Sequence, residues 1–181
     1  MKIGIFVVDV GESGGGLETY EVELIRALAR IDTRNEYIIY TMSPAARAAV
    51  GVEQDNFTYR VLRPRSKWVS LPLSLPVQLV LDGVDFFHVT MVPPPFATKP
   101  YLMSVLCFSS WAHPEFFSQS VVKRLNFLLE IGLRKAKYLL CNSQNLLEDI
   151  HDRFRIPMER LAVTHLGVNE SFTPQAPEET R

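Results

Sequence analysis

The chain has 181 residues, 47% of them hydrophobic and 22% charged, with a formal net charge of −1. That is enough apolar material for one sizeable globular core, and near-neutrality excludes a global field that would recruit nucleic acid. Cys107 and Cys141 are too few for a disulfide framework, and the most apolar stretch, residues 68–81, is broken by Pro72 and Pro76 and falls short of a membrane span.

In chain order, "KIGIFVV" (2–8) has the look of a fully buried strand. Leu17, Tyr20, Leu24, Leu28 and Ile31 follow at spacings of 3, 4, 4 and 3, which predicts a helix with these side chains on its buried face. "EYIIYTM" (36–42) is expected as strand and "SPAARAAV" (43–50) as a short helix with Ser43 as N-cap and Pro44 in the first turn. Strands follow at 57–62, 84–89 and 101–108, the last two joined by the loop "VPPPFATKP"; a proline-interrupted basic-aromatic segment precedes them. A basic amphipathic helix covers roughly 118–136, then a strand at 138–142, a helix capped by Ser143 with Leu147, Ile150 and Phe154 inward, and a last strand at 161–166. Strand–helix alternation without hairpin turns predicts an α/β, Rossmann-like, doubly wound and mainly parallel sheet of about seven strands. Residues 1–168 are expected as this domain, and the polar, proline-bearing 169–181 as a linker.

The chemical signal is "DVGESGGGLETY" (9–20), four glycines in six positions between the first strand and the first helix. A helix N-terminus at the carboxyl end of such a sheet offers free N–H groups to an anion, and glycines let a phosphate approach the backbone. The spacing is not G-x-G-x-x-G, the second strand lacks a following acid, and no G-K-[ST] follows, so dinucleotide and P-loop readings fall. A nucleotide-sugar or other phosphoester site stays open beside a plain turn.

"SGGGLETYEVELIRALARIDTRNEYIIYT", "DFFHVT", "HPEFF" and "AKYLLCNSQNLLEDIHDRFRIPMERLAVTHLGVNESFTP", taken in order, resemble the N-terminal domain of GT-B retaining glycosyltransferases of the group-1 or family-4 type. The resemblance implies transfer of a sugar from a nucleotide-sugar donor without metal, with the glycine turn facing the donor diphosphate across a cleft. It also implies that this domain makes most contacts to a glycan or lipid-linked acceptor, as in lipopolysaccharide or surface-polysaccharide synthesis, while an absent C-terminal domain holds the nucleotide. Substrate contacts are expected from Gly15, Gly16, Leu17 and Glu18 of the turn, His88 and Thr90 at the end of "DFFHVT", Ser109, and His113 of "HPEFF". Where such enzymes carry a His-Asp pair, Leu106 and Cys107 stand here, and a leucine can neither bond a hydroxyl nor support developing charge. Ser109 or Ser110 are the candidate substitutes; the alternative is a non-catalytic sugar or phosphate binding module, or a degenerate subunit.

Both cysteines are expected in the core, and His151 and His165 lack ligand spacing, so no metal and no cofactor is expected. No signal-peptide layout follows Met1, which favours the cytoplasm. "RPRSKW" (63–68) and the 118–137 stretch, with five basic residues against one acid, are candidates for a peripheral contact with anionic lipid on the inner membrane face.

Overall fold

The structure is a computed structural model that describes residues 1–8, 10–12, 15–66 and 69–168. Gly14, Lys67, Trp68 and the expected linker 169–181 lie outside the described residues. Seven strands form one sheet: β1 (Lys2–Phe6), β2 (Glu36–Thr41), β3 (Phe57–Val61), β4 (Phe86–Thr90), β5 (Tyr101–Val105), β6 (Tyr138–Cys141) and β7 (Leu161–Val163). Every pairing is parallel, in the order β3-β2-β1-β4-β5-β6-β7. The doubly wound expectation holds, with strands a few residues shorter than their apolar runs.

The helices are α1 (Gly16–Ile31), α2 (Ala46–Val50), α3 (Leu75–Leu81), α4 (Ser109–Ala112), α5 (Gln119–Lys135) and α6 (Gln144–Phe154). Strand order runs outward from β1 in both directions, and right-handed crossovers in opposite directions must lie on opposite faces. Hence α1 and α2 pack on Ile5, Ile39 and Phe57 through Val22, Ile25, Ala29 and Val50. On the other face α3, α5 and α6 cover Phe6, Tyr40, Phe87, Met103 and Cys141 through Leu79, Leu133 and Ile150.

Two local expectations, the buried face of α1 and the start of α2, are corrected. The buried side of α1 is Glu21, Val22, Ile25 and Ala29, whereas Ile31 is 79% exposed, so the helix is rotated by about one residue step, roughly 100°, from the predicted face. Residues Ser70–Ser74 form a wide π-type turn that runs into α3, so the proline-interrupted segment is helical. Pro76 sits in the first turn of α3, where a missing N–H costs little, and the wide turn accommodates Pro72. The short helix α2 starts at Ala46 with Ala45 as its N-cap, so Ser43 does not cap it and Pro44 lies outside its first turn; the Ser43 hydroxyl instead accepts from the Ala45 N–H in the turn before it.

Ser143 caps α6 as expected, its hydroxyl accepting from the Leu146 N–H at 3.2 Å. Ser143→Ala is expected to lower stability by about 1 kcal/mol, read as a shift of the urea midpoint without a change of slope.

Candidate functional site

Parallel register brings the strand ends together: Val89 is level with Phe6, Ser104 with Thr90, and Cys141 with Val105. The glycine turn after β1, the bend after β4 and the 106–109 segment after β5 therefore share the carboxyl edge of the sheet, where ligands of such sheets bind.

The glycines of the turn divide by role. Gly11 has φ +84°, and a Cβ there would lie 2.9 Å from backbone atoms of Ala45 and Ala46, so it is a packing glycine. Gly15 is the N-cap of α1 with φ +69° and has no side chain with which to cap it, and among the described residues a Cβ on Gly15 or Gly16 would meet nothing within 4 Å. The first N–H groups of α1, at Gly16 and Leu17, thus start a 16-residue helix at an open surface, with the positive end of its dipole outward. Glu18 faces inward along the turn: its carboxylate accepts from the Gly11 N–H at 2.6 Å. Buried Glu21 accepts from the Val8 N–H at 3.3 Å. Two carboxylates of α1 therefore hold the strand-to-helix turn by its backbone.

His88 and Thr90 lie on the α1 side of β4 and are both buried. His88 Nε2 is 2.8 Å from Ser104 Oγ, which is 2.8 Å from the Tyr20 hydroxyl of α1. A polar chain Tyr20–Ser104–His88 thus joins α1, β5 and β4 beneath the glycine turn. Among the described residues His88 Nδ1 and Thr90 Oγ1 are buried with no hydrogen-bond partner. Burial pushes the His88 imidazole down to about 4, so the ring is neutral at neutral pH. Burial likewise raises the Tyr20 phenol. Tyr20 and Ser104 were not legible as site residues because 84 positions separate them.

Met91, directly after β4, has φ +64°, an unusual conformation for a non-glycine residue at a strand end, and its thioether accepts from the Leu106 N–H. The Leu106 carbonyl accepts from Asn142 Nδ2 at 2.9 Å, so the residue in the expected His position is fixed by its backbone. Cys141 is buried as expected; Cys107 is exposed, contrary to expectation, because the chain has left β5, and its thiol lies 3.0 Å from the Ser109 hydroxyl. Ser110 bonds Asn126 of α5 at 2.7 Å, which ties it to the scaffold. His113 is exposed, with Nδ1 3.1 Å from the Glu115 carboxylate and its ring against Phe116. Gly15, Gly16, Leu17, His88 and Thr90 are thus gathered around the β1–β4 ends, while Ser109 and His113 occupy the segment after β5.

A cleft of about 240 Å³ lies on the opposite, amino-terminal edge, lined by Lys2, Glu36, Arg60 and Asp82 among others. These four charges pair with one another, Lys2 with Glu36 at 3.7 Å and Arg60 with Asp82 at 2.6 Å, and the cleft is remote from the carboxyl strand ends where ligands of such sheets bind. Among the described residues no group of three or more His, Cys, Asp or Glu side chains could hold a metal ion. No helix among them is long and apolar enough to cross a membrane.

The profile of Glycosyltransferase Family 4 matches residues 14–172. The chain belongs to that family. No curated protein matches the sequence. Among solved structures, a glycosyltransferase from Rickettsia africae ESF-5 is similar, with TM-score 0.59 and 15% identity over 98% of this chain and 47% of its own. A ugt transferase from Siraitia grosvenorii, solved in complex with UDP, has TM-score 0.62 and 10% identity over 92% and 51% of the two chains. The family 4 chain therefore spans about half the length of these two enzymes and shares their fold. The resemblance of its motif series to an N-terminal GT-B domain holds in both the family match and the fold.

The turn of this family 4 domain separates packing from access, so its glycines should respond differently. Gly11→Ala is expected to cost about 2 kcal/mol or more, from positive φ and backbone collision, whereas Gly16→Ala should stay within about 1 kcal/mol of the parent by urea unfolding.

His88 gives a pH signature. Its folded-state value is near 4 and an unfolded histidine titrates near ~6.5, so the unfolded chain binds the extra proton between these values. The contribution of His88 is complete above about pH 6.5, declines as pH falls through that window and levels off below about 4. His88→Gln should flatten the change in urea midpoint between those limits relative to the parent protein, while the midpoints near neutral pH converge less.

Proposed function

We propose that this chain is the acceptor-side domain of a retaining glycosyltransferase that moves a sugar from a nucleotide-sugar to a glycan or lipid-linked acceptor in lipopolysaccharide or other surface-glycan synthesis. The reading is supported above all by the open Gly15–Gly16 start of α1 on the carboxyl edge of the sheet, in a chain that belongs to a glycosyltransferase family. In this reading the first N–H groups of α1 receive the donor diphosphate, and glycine at positions 15 and 16 lets phosphate oxygens reach them. Most nucleotide contacts come from a second domain of the kind that the longer relatives have room for, and the reaction runs without a metal. His88, held neutral and tied to Ser104 and Tyr20, keeps β4 and β5 in place beneath the turn and offers an uncharged imidazole to a sugar hydroxyl. Ser109 and His113 add hydroxyl and imidazole groups on the segment after β5, and Thr90 holds a buried hydroxyl on the same side of β4 as His88. The enzyme works in the cytoplasm, on the inner face of the membrane where a lipid-linked acceptor is presented.

Leu106 favours a second reading. With an aliphatic side chain in the expected His position, the domain binds sugar nucleotide or phosphate without transferring the sugar.

Titration of the 15N-labelled chain with UDP- and GDP-linked sugars tests the site. The Gly16 and Leu17 amide resonances are expected to shift with millimolar affinity, because in this reading most nucleotide contacts lie outside this domain, and Gly16→Phe should remove the shifts without altering the rest of the spectrum. Amides of the turn that stay still with every nucleotide-sugar would sink the proposal. Binding by the parent enzyme with no release of nucleoside diphosphate in the presence of a glycolipid acceptor would select the second reading.

A further inference from the structure

His88 and Thr90 alternate with Val89 on β4, so both side chains leave the sheet on its α1 side. They are 7% and 1% exposed, and Ser104, level with Thr90 on β5, is 1% exposed. Two polar atoms of this group, His88 Nδ1 and Thr90 Oγ1, have no hydrogen-bond partner among the described residues. A buried polar atom without a partner is costly, and folded chains carry only a few per ~100 residues. Two on one face of one short strand point to a partner that they share.

The proton order of the Tyr20–Ser104–His88 chain, whose two contacts are both 2.8 Å, sets the chemistry of that partner. A phenol is a stronger acid than an aliphatic alcohol, so the Tyr20 hydroxyl donates to Ser104 Oγ. Ser104 then spends its single proton on His88 Nε2. The imidazole, kept neutral by burial, carries one N–H, and with Nε2 accepting, that proton sits on Nδ1. The unpartnered atom of His88 is therefore a donor. His88 is level with Leu102 yet bonds Ser104, two residues further along β5, so its ring leans toward Thr90. Alternate residues of a strand are roughly 6.7 Å apart, a span that one oxygen with hydrogen bonds of about 2.8 Å to either side bridges. A metal ion does not suit the place, because Nδ1–H offers it no lone pair. An anionic oxygen would bring a charge between Ile5 and Leu102, the aliphatic residues level with His88 on the neighbouring strands. A neutral hydroxyl oxygen meets both demands.

We infer that His88 Nδ1 and Thr90 Oγ1 share one neutral hydroxyl oxygen, a water in the free chain, and that Ser104 and Tyr20 are positioning residues that fix the imidazole in its Nδ1–H form to hold it. The oxygen accepts from Nδ1–H and donates to Thr90 Oγ1, which gives it the two partners that a buried water needs at the least. Ser104 and Tyr20 thereby do more than tie β5 to α1: they decide which nitrogen of His88 faces the shared oxygen as a donor. A sugar hydroxyl reaches His88 only by taking the place of this water. That last use rests on the function proposed above, whereas the water and the tautomer do not.

Long-range proton–nitrogen correlation of the His88 ring in the 15N-labelled 181-residue chain near neutral pH tests the inference. The parent should show Nδ1 protonated and Nε2 bare, with a slowly exchanging Nδ1 proton that gives a cross-relaxation peak to water. Ser104→Ala removes the partner of Nε2 and should raise the Nε2–H form to a comparable population; Tyr20→Phe, which frees Ser104 to reverse, should do so in part. Thr90→Val keeps the shape but removes one partner of the oxygen, so exchange of the Nδ1 proton should quicken at least tenfold, while Thr90→Ser stays like the parent. An Nε2–H tautomer or no water peak in the parent overturns the inference without recourse to any variant. So does a Thr90→Val protein with parental exchange, or a Ser104→Ala protein with the parental tautomer. Addition of methyl glucoside and methyl mannoside separates the two sources of the oxygen. A water peak that persists upholds a resident water, and one lost together with a shift of the Nδ1 proton upholds the same site with a sugar hydroxyl in it. The water peak in a protein that proves to transfer no sugar leaves this inference intact and counts only against the proposed reaction.

Discussion

The handedness of strand crossovers is the constraint on which the rest of this domain depends. Because β2 and β3 lie on one side of β1 and β4 to β7 on the other, connections of one hand place α1 and α2 on one face and α3, α5 and α6 on the opposite face. All strands then end at one edge, and the loops that follow β1, β4 and β5 meet there without any dedicated contact to bring them together. The same rule leaves the α1 side of the sheet beyond β4 with little helical cover, where Leu102 and Leu140 are only half-buried and Tyr138 is 45% exposed.

Within that frame the candidate site is assembled from polar groups that serve backbone and scaffold before any ligand. Glu18 and Glu21 hold Gly11 and Val8, Asn142 holds Leu106, and Tyr20, Ser104 and His88 link three elements. A buried neutral imidazole keeps hydrogen-bonding capacity without a charge to desolvate, which suits a group placed under an open helix start. The strain at Met91 belongs to the same neighbourhood, and such outliers persist where surrounding structure over-determines them.

Much of the architecture was legible from periodicity, since buried parallel strands read as apolar runs and Ser143 announces its helix. The phase of α1 was not. Hydropathy favours Leu17, Tyr20, Leu24, Leu28 and Ile31, but the turn needs acceptors for the N–H groups of Val8 and Gly11, and Glu21 is buried to supply one. The helical nature of 69–81 was hidden by two prolines that read as breakers, although one sits in a first turn and the other in a wide one. In the site, the glycines and strand-end residues stood out in the sequence, whereas Ser104 and Met91 carry no local motif and gain meaning only from register.

The sheet's two margins carry a consequence for solution behaviour. An unpaired strand margin is a template on which a neighbouring chain can add, and growth there leads to aggregates. Here one margin is β7, three residues long, and the other is β3, which carries Arg60 and Tyr59 and gives way within three residues to Pro64. Neither offers a long, flat, apolar rail. Among the described residues both margins of this seven-stranded, all-parallel sheet are therefore poor templates for the addition of a further strand.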